Sequence, residues 1–70
     1  MKISPEDRLR AFEEMLSSVQ VKYRETGEQM DHLKAEGREK SAAFRQLMST
    51  RLQLRNILAL YQACGLTEDL

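Results

Sequence analysis

The sequence predicts an all-α protein that folds as an antiparallel two-helix hairpin. Its 70 residues are dominated by strong helix formers and include one proline, at position 5. No stretch alternates apolar and polar residues between turn residues, which is the pattern of strands. Apolar residues instead recur every three or four positions in two long segments that meet within residues 33–44.

The first helix is predicted to run from about residue 5 to residue 36. Ser4 is a natural N-cap, and Pro5 suits the first helical position. The two acids that follow favour the positive end of the helix dipole. Beyond them, a seam with three-four spacing contains Leu9, Phe12, Leu16, Val19, Tyr23, Thr26, Met30 and Leu33. Such a narrow, regular seam is typical of a helix that packs against one neighbour.

The second helix is predicted over about residues 41–64, with Ser41 as its candidate N-cap. After it, Gly65 can take the left-handed conformation and Leu66 can fold back towards Tyr61. The apolar side chains cover more than half of its circumference: Phe44, Leu47, Met48, Leu52, Leu54, Ile57, Leu58 and Tyr61, with Leu60 further round. A wide apolar arc predicts more than one neighbouring helix.

The stretch between the two segments is compatible with a rod or with a turn. The heptad spacing runs on through Gly37 and Lys40, which favours a continuous rod. However, residues 41–64 contain three arginines and no acid, whereas residues 1–36 hold eight acids and six bases. Parallel copies of the basic helix would repel each other, while a basic helix lying against an acidic one is complementary.

The residue pairs that come to lie opposite each other when the chain folds back about position 38 also favour a turn. They join apolar with apolar residues, except where Thr26 meets Arg51. We therefore predict a turn that consists of Gly37, Arg38, Glu39 and Lys40. Since Arg38 stands where a hydrophobic residue normally closes the cap, we expect this helix stop to be looser than the one at Gly65.

Two further predictions concern Gly27 and the C-terminal tail. Gly27, inside the first helix, permits a close helix contact or a slight bend, and the alternative is a second turn there. The tail, residues 66–70, is expected to fray.

The wide arc of the second helix exceeds what one neighbouring helix can bury. We expect two hairpins to pack as a homodimeric four-helix bundle, and the alternative is that a different protein supplies the missing helices. Ile3 and Leu9 would need Leu66, Leu70 or another chain to cover them. The predicted interface consists of Met48, Leu52 and Leu60 on the second helix and Leu9 and Phe12 on the first.

Arg51, near the centre of the arc, has two interpretations. In the first, its stem packs along the seam and its guanidinium reaches water. In the second, Arg51 and Thr26, with Tyr23 or a glutamate, form a buried polar layer that fixes register and partner.

No residue pattern in the sequence indicates catalysis, a metal or a cofactor, so we expect a non-enzymatic protein without cofactors. The one histidine, His32, shares a helix face with Glu25 and Glu28, but this is the polar face opposite the seam and we expect it to be solvated. Cys64 is expected to be a packed, inert thiol. The three glycines are scattered and form no phosphate-binding loop.

The net charge and the hydropathy of the chain limit the classes of partner that we expect. Eleven basic and eleven acidic residues cancel, so nucleic acid and anionic membrane are not favoured as partners. The longest apolar run, residues 57–61, is far shorter than the ~20 residues of a membrane span. The N-terminus lacks the apolar core of a signal peptide, and we expect a cytoplasmic protein.

The run LKAEGREKSAAFRQLMSTRLQLRNILALYQACGL, residues 33–66, resembles the second half of small bacterial helical-hairpin proteins of uncharacterised function. The shared features are a Lys-Ala-x-Gly turn, a serine that opens the next helix, spaced leucines and a closing Gly-Leu. The resemblance covers about half of the chain and implies the fold and no activity. The layout is also similar to the small cochaperones of type III secretion needle subunits, hairpins that work by packing against a second chaperone. No motif residue carries over from them.

Overall fold

A computed structural model of the chain describes residues 3–67. Within this range it contains two helices and no strand: α1 spans Pro5–Ala35 and α2 spans Ala42–Ala63. The two helices pack against each other as an antiparallel hairpin. The predicted fold is thus confirmed, with helix ends within one residue of their expected positions. The hairpin is elongated, with a radius of gyration of 15.2 Å against about 11 Å for a compact domain of this length.

Both helices begin with the same serine cap. The Ser4 hydroxyl accepts a hydrogen bond from the backbone N–H of Asp7 at 3.1 Å, and the Ser41 hydroxyl accepts one from the N–H of Phe44 at 3.1 Å. The Ser41 hydroxyl also donates to the backbone carbonyl of Arg38 at 2.8 Å. This second bond ties the turn to the start of α2.

Both helices also end with the same glycine stop. Gly37 and Gly65 have φ angles of 72° and 75°. Each glycine N–H donates at 2.9 Å to a carbonyl three residues earlier. The next residue, Arg38 or Leu66, donates at 2.8 or 2.9 Å to a carbonyl five residues earlier, which completes the Schellman pattern. The expectation of a looser stop at Gly37 is therefore wrong, since these bonds need the left-handed glycine and not a hydrophobic residue after it.

The core of the hairpin is one narrow seam between the helices. Its buried members are Val19, Thr26, Phe44 and Leu58. Partly covered side chains extend the seam at the expected three-four spacing: Leu16, Tyr23, Met30 and Leu33 on α1, and Leu47, Leu54 and Tyr61 on α2. The side chains on the flanks of α2 stay exposed because one neighbouring helix covers only one stripe.

α1 continues beyond the end of α2. It has 31 residues against 22, so nine more residues, or about 13 Å of helix, extend past its neighbour. We call residues 5–15 the overhang, because Leu16 is the first α1 side chain that is not exposed. The chain after α2 turns towards this end, where the Gln20 amide donates to the Thr67 hydroxyl at 3.3 Å. Leu66 and Thr67, the first residues of the tail expected to fray, thus make hydrogen bonds, and residues 68–70 lie outside the described range.

Candidate interaction surface

One face of the hairpin carries a groove that combines apolar and basic side chains. Two of the predicted interface residues, Met48 and Leu52, lie in it and are 49% and 59% exposed. We call it the arginine-framed groove, and its main lining residues are Tyr23, Met30, Arg45, Met48, Arg51, Leu52 and Arg55.

The groove follows from the spacing of residues on α2. Arg45, Met48, Leu52 and Arg55 are separated by three, four and three positions, so they form one stripe beside the seam. The sequence-based site did not include Arg45 and Arg55, although this spacing identifies them. An apolar centre with a guanidinium at each end suits an amphipathic helix that carries carboxylates.

Arg51 lies over the ring of Tyr23, with 4.5 Å between the guanidinium carbon and the ring centroid. This is the geometry of a cation–π contact. Gly27 makes room for it, because a Cβ at that position would lie 3.3 Å from Nε of Arg51. Gly27 therefore permits a close contact within a continuous α1, and the alternative of a second turn there is wrong.

Thr26 and Arg51 do not act as one buried layer in the single chain. The Thr26 side chain is buried, and its hydroxyl donates at 2.7 Å to the backbone carbonyl of Lys22, one turn earlier in α1. Arg51 is exposed. This arrangement is that of the first interpretation, in which the arginine head reaches water.

The arginines of α2 have no acidic partner among residues 3–67. The ion pairs in this range are all local: Arg10 with Asp7, Arg24 with Glu28, His32 with Glu36, and Arg38 with Glu36. The charge complementarity expected between the helices is therefore not expressed as ion pairs, and the apolar seam joins them. The guanidiniums of Arg45 and Arg55 face solvent in the same groove.

The overhang forms a second apolar surface. Leu9 and Phe12, both predicted interface residues, are 62% and 51% exposed, and Met15 is 49% exposed. Leu9 and Phe12 share a shallow end groove with Leu16, Tyr61 and Leu66. Leu66 thus reaches this region, as expected, but it is itself 59% exposed and does not cover Leu9. Leu70, the other candidate cover, lies outside the described residues.

Leu60 stands apart from the other predicted interface residues. It is 70% exposed, and it follows the buried Leu58 by two positions, which places it about 160° round the helix from that residue. It is not a lining residue of the arginine-framed groove. The structure therefore brings Met48 and Leu52 together and Leu9 and Phe12 together, and leaves Leu60 on the outer side of α2.

The side chains considered for chemistry lie on the surface. His32 is 3.4 Å from Glu36, and Glu28 is 3.8 Å from Arg24. In the described part of the chain, no group of three His, Cys, Asp or Glu side chains could hold a metal. Cys64 is exposed, so the expectation of a packed thiol is wrong. Its position, about 60° round the helix from Tyr61, lies on a flank that α1 does not cover.

The comparisons with known proteins add no family. No protein-family model matches the chain, and no curated protein or solved structure matches it significantly. Neither helix of the described range is long and apolar enough to cross a membrane. The exposed apolar surfaces of the hairpin are therefore the features that indicate a function.

Proposed function

We propose that the protein is a non-enzymatic protein–protein interaction module that works as a homodimeric four-helix bundle. The observation that carries this proposal is the imbalance between buried and exposed apolar residues. In residues 3–67 the buried hydrophobic side chains are Val19, Phe44 and Leu58, whereas ten large hydrophobic side chains are exposed. A chain with so small a core gains stability by burying more apolar surface against a partner.

The surface area supports a partner of substantial size. The chain exposes 5750 Å², whereas a compact protein of 8.1 kDa exposes about 4,500 Å². The excess of about 1,200 Å² is larger than the ~800 Å² that each partner buries in a standard interface. A second hairpin is the simplest partner that buries this area.

The exposed apolar residues also lie on both flanks of the seam. Met48 is on one flank of α2, and Ile57, which is 38% exposed, follows nine positions later, about 180° round the helix. Packing two hairpins face to face covers one flank of each. The other flank stays available for a further protein, which is why we propose an interaction module whose role goes beyond self-association.

The second candidate function is that of a small cochaperone or inhibitor whose bundle is completed by a different protein. The same exposed surface supports it, because two helices leave a bundle incomplete whichever chain completes it. The similarity in layout to type III secretion needle cochaperones belongs to this alternative. For both candidates we propose a cytoplasmic location.

The test is the mass of the purified full-length chain measured by light scattering. Homodimerisation predicts twice the chain mass of 8.1 kDa. The double variant Met48→Ser/Leu52→Ser should shift the equilibrium to monomer, whereas Leu60→Ser, a matched change on the outer side of α2, should not. The chain could instead stay monomeric and form a stable folded complex only when it is co-expressed with a protein from a neighbouring gene. That result would exclude the homodimer and favour the cochaperone or inhibitor.

A further inference from the structure

We infer that the arginine-framed groove of one hairpin holds the overhang of a second copy, which lies antiparallel to it. This inference rests on the proposed homodimer and names the segment that fills the groove. Its supports are the charges of the two surfaces, a partial match of their residues, and their positions along the hairpin.

The charges of the two surfaces are opposite. The groove presents the guanidiniums of Arg45, Arg51 and Arg55, none of which has a carboxylate within 4.0 Å among the described residues. The overhang carries four acids and two bases. One of those bases, Arg10, lies 3.3 Å from Asp7 and is paired within the overhang. The overhang therefore offers carboxylates to a surface that lacks them.

Each surface has a stripe of four residues with three-four-three spacing, but the order of charged and apolar residues along the two stripes differs. On the overhang and the helical turn of α1 that follows it, the stripe consists of Glu6, Leu9, Glu13 and Leu16. These residues are separated by three, four and three positions, as are Arg45, Met48, Leu52 and Arg55 in the groove. Glu13 lines the end groove together with Leu9 and Leu16, so this carboxylate lies at the edge of the apolar stripe. In an antiparallel arrangement Glu6 lies opposite Arg55 and Leu9 lies opposite Leu52, so the two stripes are complementary at these two positions. Glu13 lies opposite Met48 and not opposite an arginine.

The lengths and positions require two chains. The overhang runs from residue 5 to residue 15 and the groove runs from Arg45 to Arg55, so each is about 15 Å of helix. Leu9 and Met48 of one chain are separated by roughly 25–30 Å along the hairpin, so its own overhang cannot reach its groove. When two hairpins lie antiparallel, each overhang reaches the partner's groove, and the contact is made twice around a two-fold axis.

The first test reverses the charges of each surface separately and then together. Glu6→Arg/Glu13→Arg and Arg45→Glu/Arg55→Glu should each weaken dimerisation by about tenfold or more, because several attractive pairs become repulsive. The chain that carries all four changes should recover to within about threefold of the original dimerisation constant. Glu25→Arg/Glu28→Arg, which makes the same change in net charge outside the overhang, should leave the constant nearly unchanged. Sedimentation equilibrium measures the original chain and the four variants, and circular dichroism checks that each remains helical.

The outcomes separate this inference from the proposed dimer. If the original chain dimerises but the variant with all four charge reversals does not recover its dimerisation constant, the proposed dimer stands and the overhang is not what fills the groove. If the original chain is monomeric at every concentration, both are overturned. Tight binding of an acidic helix from another protein to a monomeric chain would likewise exclude the second copy as occupant.

A disulfide experiment tests the contact directly. Two variants on a Cys64→Ser background, Leu9→Cys and Leu52→Cys, are mixed and oxidised with glutathione disulfide. We expect rapid formation of the mixed covalent dimer. Leu60→Cys in place of Leu52→Cys is the matched control and should cross-link at least about tenfold more slowly, since it lies on the outer side of α2. Equal rates for the two mixtures would overturn the proposed contact.

Discussion

The two halves of α1 carry the same apolar pattern but differ in what covers them. In the half that faces α2, Val19 is buried and Leu16 and Leu33 are partly covered. In the overhang, Leu9 and Phe12 occupy the same seam positions and are 62% and 51% exposed. A heptad pattern thus indicates which side chains need burial but does not say which chain buries them. The continuation of the pattern past the end of α2 is the reason to expect a second chain.

The largest effect is expected in the covered half. Leu58, which is 2% exposed, packs in the seam, and Leu58→Ala should lower the free energy of unfolding by about 2–5 kcal/mol. In a hairpin with so small a core this loss should unfold much of the population. Thermal and urea denaturation followed by circular dichroism measure it. The matched control, Leu60→Ala on the outer side of α2, should change stability by less than about 0.5 kcal/mol.

The overhang should respond differently. Leu9→Ala/Phe12→Ala should leave the unfolding of the monomer nearly unchanged, because both side chains are exposed in the single chain. The same double variant should weaken the dimer by about 2 kcal/mol, since both side chains lose apolar burial against the partner. Val21→Ala, an exposed apolar residue on the outer side of the covered half, is the control. Equal dimer strength in the double variant and in the control would remove the overhang from the interface.

Smaller, matched effects are expected at the two helix stops. Gly37→Ala and Gly65→Ala should each destabilise the hairpin by about 1–2 kcal/mol, because alanine must take a left-handed conformation. Since the φ angles are 72° and 75° and the hydrogen bonds are alike, the two losses should agree closely. Denaturant midpoints of the two variants, compared side by side, measure the difference. A clearly smaller loss at Gly37 would restore the looser turn that the sequence suggested.

The smallest effect has the opposite sign. The hydroxyl of Tyr61, near the border between the covered half and the overhang, is buried without a hydrogen-bond partner among the described residues. Tyr61→Phe should therefore raise the free energy of unfolding by about 1 kcal/mol. Urea denaturation at a concentration where the chain is monomeric measures it. A loss of stability in Tyr61→Phe would show that the hydroxyl is hydrogen-bonded in solution.

Most of the fold could be predicted because local signals and the seam agree. Serine caps, a proline at the first helical position and a glycine after each helix mark the ends, and the layer match about position 38 identifies the hairpin. One argument for the turn is not expressed in the structure: the acidic and basic helices form no ion pair across the described seam. The segregated charges indicated the hairpin topology correctly, but the two helices are joined by apolar contacts in the seam.

The surface was less predictable because exposure depends on side-chain direction as well as residue type. Leu60, two residues after Leu58, points to the outer side of α2, away from the other predicted interface residues, and its part in an interface stays a prediction. Cys64 was expected to be packed, but the direction of its side chain leaves it exposed. Conversely, the arginines of α2 were expected to complement the acidic first helix, and the place of Arg45 and Arg55 beside Met48 and Leu52 makes them part of a groove instead.

The most direct test of the claim that a second chain covers the overhang is amide hydrogen exchange. It would be measured residue by residue, by nuclear magnetic resonance, below and above the dimerisation midpoint. We expect amides of residues 9–15 to gain about tenfold or more in protection as the concentration rises, while amides of residues 19–33, already covered by α2, gain less. Fast exchange of the overhang at both concentrations, in a sample whose mass shows a dimer, would contradict this account.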